Sequence, residues 1–520
     1  MADLALQALD RAIHDLPQTI GGPGGLAGAV VEGATAFVHP WGFADIDRRL
    51  AMTDQLRLPI CSISKQFTCA VMLDALGDPE RLDDRVAAFL PNLEGTLPGI
   101  RDLANMQSGL RDYWAMTVLH GAHPEGRFAR EDARRLLDRI RTTHFAPGTS
   151  YSYCNVNFRI LCEIVETETG RDLGALYNER VFGPAGMETA IHTPDTTVPA
   201  DGVVGYEGDE RVGYIPATNR IYWTGDAGIS ASLRDMLAWE RHIHATADDA
   251  DSLYRKLSAP QTFRNGRAAP YGFGLVHETV GGRPATGHGG ALRGFRLQRL
   301  YVPSARLSVV VLLNHEADAH AAALHLAHAA LGLPTSEADA TVEPSWAGDY
   351  VVEETGLLLR IETTRDRVMA RYAAAPDTLS VDEHGAARSA DMMLTPQGSG
   401  LHVERPGEDL RSDAVAITGT AEPDTSITGR FRSPETGDTM EIVASGSGLY
   451  ASFEGLLGQG PVHALRPLGP DIWAMSCRRS MDAPPPGDWT LRISRNGAGG
   501  ISGLTLGCWL ARDVPFVPVE

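Results

Sequence analysis

The chain has 520 residues, 43% of them hydrophobic and 22% charged, the balance of a globular protein too long for one ordinary core. Its formal net charge of −20 argues against nucleic acid and anionic membrane surfaces as partners, and no run of 18 apolar residues is present to span a bilayer. All but two of the 46 basic residues are arginine, so the surviving Lys65 and Lys256 are candidates for chemistry that needs a cation able to lose its proton.

In chain order, MADLALQALDRAIHDLP places acids among its apolar residues and predicts an amphipathic helix rather than a secretory signal. GGLAGAVVEGATAFVHPWGFADID has the turn-punctuated pattern of a hairpin. Helices are predicted near 62–77, 131–142, 156–169, 232–245 and 317–331, with strands at 295–302 and 307–314. Strands at both ends of a helical middle predict an α+β domain over 1–333, in which a helical insert covers an antiparallel sheet. GLPTSEADATVEP, 332–344, reads as a linker. Beyond it, short alternating segments with Gly, Pro and Asp turns predict β-barrels or sandwiches.

That C-terminal part contains a repeat. GDYVVEETGLLLRI (348–361) and GRFRSPETGDTMEI (429–442) share a glycine, an aromatic two residues on, Glu-Thr-Gly and a final Ile, at an offset of 81 residues. Two related β domains are expected, 338–418 and 420–520. The six cysteines (61, 69, 154, 162, 477 and 508) do not form a disulfide framework. Cys61 with Cys69, and Cys154 with Cys162, are eight apart in predicted helices, too far along the axis to bridge. Free thiols and a cytoplasmic setting follow.

Three segments carry chemistry. In PICSISKQFTCAVML (59–73), Ser62 and Lys65 are three apart and share a helix face, with Ser62 near the N-terminus, where the dipole favours developing negative charge. A serine hydroxyl needs a neighbouring base, which a buried neutral Lys65 would supply. Cys61 also lies on the face of Lys65 and is the rival nucleophile; Ser64 points elsewhere. In PGTSYSYCNVNFRILCEIVETETG (147–170), Tyr151, Tyr153 and Asn155 lead into an amphipathic helix. A tyrosinate or polarised hydroxyl is a proton relay, and an Asn amide can bond both the lysine and a substrate carbonyl. In TGHGGALRGFRLQRLYV (286–302), glycines flank His288 and allow a substrate backbone to approach a sheet edge. His315, His320, His325 and His328 cluster in sequence but form no H-E-x-x-H, so no metal is expected, and the absence of G-x-S-x-G disfavours an α/β-hydrolase.

The three motifs, in this order, resemble the penicillin-recognising serine hydrolases: serine β-lactamases, DD-peptidases, related esterases and D-aminopeptidases. The resemblance runs over about 5–333, through SISKQFT, IRDLANMQSGLRDYW, PGTSYSYCN, GDAGISASLRDM and GHGGALRGF. It implies a catalytic domain of antiparallel sheet flanked by helices, with Ser62 as acylated nucleophile and Lys65 as proton acceptor. It also implies Tyr153 with Asn155 as the second element, an oxyanion hole from the backbone N–H groups of Ser62 and Ala291, and no cofactor.

His288 and Gly289 stand where many members have Lys-Thr-Gly, which removes a hydroxyl and weakens the cation that receives a substrate carboxylate. Arg293 and Arg296 are nearby and could bind one instead. Two β-barrel domains after such a catalytic domain resemble the D-stereospecific aminopeptidases, which must recognise a free α-ammonium. The acid this requires is sought in CRRSMDAPPPGDW (477–489), a proline-stiffened loop of the second barrel domain expected to reach the active site, with Asp482 first and Asp488 second. The expected substrate is a small peptide, amide or ester with a free N-terminal D-residue such as D-Ala, and a homodimer is compatible with it. An esterase or DD-carboxypeptidase on the same residues, and a sensor acylated without turnover, are the alternatives.

Overall fold

A computed structural model of the chain describes residues 4–334, 347–363, 368–373, 376–382, 385–419, 424–477, 479–482 and 487–519. The linker expected over 332–344 lies outside the described residues from 335 onward, as do the three prolines at 484–486.

The first helix, Leu6–Ile20, buries Leu9, Ala12, Ile13 and Leu16, one stripe of a 3.6-residue period. It leads into the hairpin Gly24–Val31 and Ala34–Asp45. The hairpin joins an eight-stranded sheet whose order is Tyr271–Gly272, Leu275–Val280, Arg283–Leu292, Phe295–Val302, Leu307–Leu313, Gly24–Val31, Ala34–Asp45, Leu50–Ala51. Every pairing is antiparallel. The strand LSVVVLL (307–313) is buried along its whole length because both faces of the sheet are covered. Val309, Val311 and Leu313 join the core under Leu6–Ile20 and the last helix, Ala319–Leu331. Val310 and Leu312 face the opposite core, shared with the helices Ser64–Leu76, Asn155–Thr169 and Leu233–Ala245. The helix expected over 131–142 is shorter, Arg130–Leu137. Past its end Arg139 donates to the Thr436 carbonyl and to Asp438, bonds that continued helix would not place there.

The C-terminal part holds two closed antiparallel barrels. Eight strands, from Gly348–Val352 to Leu410–Ala416, close the first. In the second, pairing of Thr439–Ser445 with Gly448–Gly455 closes a ring of strands ending at Ala511–Pro518. The 81-residue repeat falls on equivalent elements: Gly348–Val352 on Gly429–Arg432, and Leu357–Thr363 on Thr439–Ser445. Gly348 and Gly429 have φ of 158° and 150°, which side-chain-bearing residues avoid, and Tyr350 and Phe431 two residues on enter their respective cores.

The second barrel does not close over its own side chains alone. Ala115, Met116, Val118 and Leu119 of the catalytic-domain helix Tyr113–Leu119 lie in the same core as Phe431, Trp473 and Trp489 of the barrel. Polar contacts flank this plug: Arg111 bonds Glu435 at 2.7 Å, and His120 faces Asp438 at 2.6 Å. Among the described residues no helix is long and apolar enough to cross a membrane.

Candidate active site

Ser62 occupies a single 3₁₀ turn, Cys61–Ile63, continuous with the helix Ser64–Leu76. Cys61 is held at φ 52°, a left-handed conformation unusual for a side-chain-bearing residue. The strand Arg283–Leu292 lies hard against this turn. A Cβ on Gly290 would stand 2.5 Å from the Ile60 carbonyl oxygen, so the approach requires glycine. The two rival groups near Ser62 are both occupied. The Cys61 thiol is buried, donates to the Pro59 carbonyl at 3.2 Å, and is held protonated by that burial. The Ser64 hydroxyl accepts from the Ile229 amide at 3.3 Å, on the far side of the turn.

Lys65 is fully buried. Its Nζ is 2.9 Å from Ser62 Oγ, 2.8 Å from Asn155 Oδ1 and 2.7 Å from the Asp226 carbonyl, and it stands over the rings of Tyr153 and Phe158. Burial lowers its pKa to about 8, against the opposing pull of Asp226 and Asp112. A neutral amine has two N–H bonds and one lone pair. Asn155 Oδ1 and the Asp226 carbonyl take the two N–H groups, so the lone pair of neutral Lys65 points at the Ser62 hydroxyl. Tyr153 hydrogen-bonds Ser62 from another side, and burial holds its phenol well above the usual range. Burial thus favours the protonated phenol over a tyrosinate.

Three residues that sequence reasoning did not assign complete this arrangement. Asp112 accepts from the Asn155 amide nitrogens, backbone at 2.6 Å and side chain at 2.9 Å, which turns Oδ1 of Asn155 toward Lys65. Its other oxygen caps the helix Tyr113–Leu119 through Trp114 and Ala115. Asp226 is fully buried and accepts from Tyr113 at 2.8 Å and Trp114 at 3.2 Å. Tyr271 bonds Nε2 of His288 at 2.9 Å. The cap role of Asp112 was available from D-Y-W opening a helix; its inward reach to Asn155, 43 residues away, was not.

His288 lies on the strand Arg283–Leu292, with Nδ1 2.6 Å from the Gly289 carbonyl, so Nδ1 carries the hydrogen and Nε2 accepts from Tyr271. Burial and the nearby Lys65 lower its pKa to about 3. This carries the weak cation expected from sequence further, to an imidazole whose burial favours the neutral form. Arg296 is bonded to Glu316 and to the carbonyls of Leu292 and Phe295, and the Arg293 guanidinium is buried against the Thr218 carbonyl. Arg293 does not line the cavity that holds Ser62, and Arg296 lines it already paired with Glu316. His320 bonds Glu278 at 3.0 Å.

Ser62, Tyr153, Asn155, His288 and Ala291 line one cavity of about 530 Å³, and Asp482 of the second barrel lines it with them. The loop segment bearing Asp482 is docked on the catalytic domain. Met481 is buried in that domain's core, the Asp482 carbonyl accepts from the Arg293 amide at 3.0 Å, and Ser480 donates to Asp482 Oδ1 at 2.7 Å. Burial, reinforced by Asp112, raises the Asp482 carboxyl to about 7. Asp488, the second candidate, is exposed on the barrel and faces Arg360 at 3.7 Å, outside the cavity.

The site titrates where its groups do. Activity toward an amine substrate is expected to climb as pH rises through about 7 to 8, as Asp482 ionises and Lys65 loses its proton. In Asp482→Asn the component near 7 should vanish and that of Lys65 should move to lower pH, because the Asp482 charge helps to raise it; kcat/KM profiles of both proteins between pH 5 and 9 measure this.

The β-lactamase family matches residues 9–333, and the family described as D-aminopeptidase, domain B, matches 339–517. A D-aminopeptidase from Cereibacter sphaeroides is 54% identical over 519 residues, 99% of this chain and 100% of that protein. One from Brucella canis is 48% identical over 518 residues, 99% of each. Among solved structures, the octameric penicillin-binding protein homologue from Pyrococcus abyssi shares the fold, with a TM-score of 0.54 at 18% identity over 79% of this chain and 99% of that one. The chain, matched along nearly its whole length at this identity, belongs to the D-aminopeptidases of the β-lactamase family.

Proposed function

We propose that the protein is a serine aminopeptidase that removes N-terminal D-amino acids from small peptides, amides and esters through an acyl-enzyme on Ser62. The observation that carries this reading is a carboxylate of the second barrel, Asp482, sharing one cavity with Ser62 and a neutral His288. An anion there suits a substrate ammonium, and with His288 neutral and Arg296 already paired with Glu316 the cavity disfavours the C-terminal carboxylate that a DD-carboxypeptidase must hold. The preference for the D-residue rests on the relatives named D-aminopeptidase.

Ser62 Oγ attacks the carbonyl carbon of the N-terminal residue as its proton passes to Lys65 Nζ. The backbone N–H groups of Ser62 and Ala291 hold the oxyanion, each such donor contributing about 3–4 kcal/mol to the transition state. The Tyr153 hydroxyl relays a proton to the departing amine, leaving an ester on Ser62. Water, deprotonated by Lys65, then attacks that ester and restores the serine. The same proposal divides the chain into a catalytic unit over 1–333 and barrel units over 338–418 and 420–520, and places it in the cytoplasm, where its six free cysteines remain reduced.

The test is hydrolysis of D-Ala-p-nitroanilide, L-Ala-p-nitroanilide and N-acetyl-D-Ala-p-nitroanilide by wild type and Ser62→Ala. Turnover of the free D-amine alone, lost in the variant, is the expected result; indifference to the amine or to stereochemistry would leave an esterase. A burst without steady-state turnover would indicate a sensor. Asp482→Ala is expected to lower kcat/KM for D-Ala-p-nitroanilide about 100-fold, the scale of an ion pair lost from a desolvated site, while p-nitrophenyl acetate hydrolysis stays within about three-fold. Equal losses on both substrates would remove Asp482 from ammonium recognition.

A further inference from the structure

None of the described cavity-lining residues comes from the first barrel. That barrel is nevertheless fastened to both walls of the cavity, at Glu408. Glu408 ends the short turn Pro406–Glu408 and is buried. Its Oε1 accepts from the indole nitrogen of Trp509 at 2.9 Å and from Arg405 at 2.5 Å, and its Oε2 accepts from Arg512 at 2.9 Å. Its backbone carbonyl accepts from the Ser150 hydroxyl, three residues before Tyr153.

Trp509 links these anchors to the site. It lines the cavity with Ser62 and also packs against the core of the first barrel. The next residue, Leu510, lines the same cavity, and its carbonyl accepts from the Asp112 amide at 2.9 Å. A hydrogen bond to a carboxylate is stronger than one to a neutral acceptor, and two buried guanidinium groups hold this carboxylate in place. The indole is therefore fixed at its far end by an atom of another domain.

We propose that Glu408 is a positioning residue that sets the indole of Trp509 as the size limit of the cavity. The first barrel thereby decides how large an acyl group Ser62 accepts, without touching substrate. The inference rests on the reading that Ser62 is acylated within this cavity. It makes Trp509 a specificity residue and Glu408 its tether.

p-Nitrophenyl acetate, butyrate and octanoate measure acylation of Ser62 without demanding an ammonium group. The octanoate-to-acetate ratio of kcat/KM is expected to rise about ten-fold in Trp509→Ala, the scale on which hydrophobic pockets discriminate size. Trp509→Phe keeps a ring but deletes the donated N–H, and it should shift the ratio as far as Glu408→Leu does, in which no acceptor remains for that N–H. The double variant should shift it no further, since both changes break one bond. A merely structural role for Glu408 would lower all three esters together and leave the ratio at its wild-type value, which would overturn the proposal. If Glu408→Leu does not fold, a wild-type ratio in Trp509→Phe overturns it equally. Absence of any Ser62 acyl adduct in wild type, read by mass spectrometry, would overturn the underlying site reading instead.

Discussion

Lys65→Arg is expected to lower kcat by about 10²- to 10⁴-fold, the range over which a positioned base contributes to proton transfer. The chain makes this substitution a direct test, because arginine is its usual cation: all but two of its 46 basic residues are arginine. Arginine would keep the positive charge between Asp112 and Asp226 but could not give up a proton at any working pH. Its protonated guanidinium would also face Ser62 without a lone pair. Steady-state kinetics on D-Ala-p-nitroanilide, with circular dichroism to verify the fold, decide the matter. A variant within ten-fold of wild type would take the proton-acceptor role away from Lys65.

The largest effect on stability is expected behind the site rather than in it. Arg299 and Glu240 are both fully buried and form two bonds of 2.6 and 2.8 Å, and Arg299 also donates to Tyr254 at 2.8 Å. Glu240→Ala would leave the Arg299 guanidinium buried without its counter-charge, at a cost of about 3–5 kcal/mol. Replacing both partners by apolar residues, as in Glu240→Leu with Arg299→Met, should recover most of that loss, because an unpaired charge costs more than an absent pair. Urea unfolding of the three proteins measures both numbers. Equal stabilities for the single and double variants would refute the account. Arg299 is registered directly across from His288, so the single variant should also weaken the wall of the cavity.

What could be read from sequence was decided by distance along the chain. Ser62 and Lys65 declared themselves because one helical turn brings them together. Tyr153 and Asn155 did so because they open a helix, and the barrels because their strands repeat at an 81-residue offset. Asp112 and Asp226 stayed silent, since an aspartate that caps a helix and one that braces a lysine look alike until the chain has folded. Asp482 could be placed in a loop of the right length, but only the burial of Met481 beside it shows why the loop reaches the cavity. Glu408 and Trp509 were beyond reach: their contact is 101 residues apart and joins two domains of similar composition. The neutrality of His288 likewise depends on burial, which one strand in isolation does not reveal.

The helix Tyr113–Leu119 seated in the second barrel also sets a timetable for biosynthesis. Its socket is complete only when the strand Ala511–Pro518 has been made, about 400 residues after the helix itself. At a synthesis rate of about 5–20 residues per second, the nascent chain holds this apolar face open for about 20–80 s. Asp112 caps that helix and also bonds Asn155, which ties the docked helix to the residue that contacts Lys65. Burial of that helix face in the second barrel thus waits on the strand Ala511–Pro518.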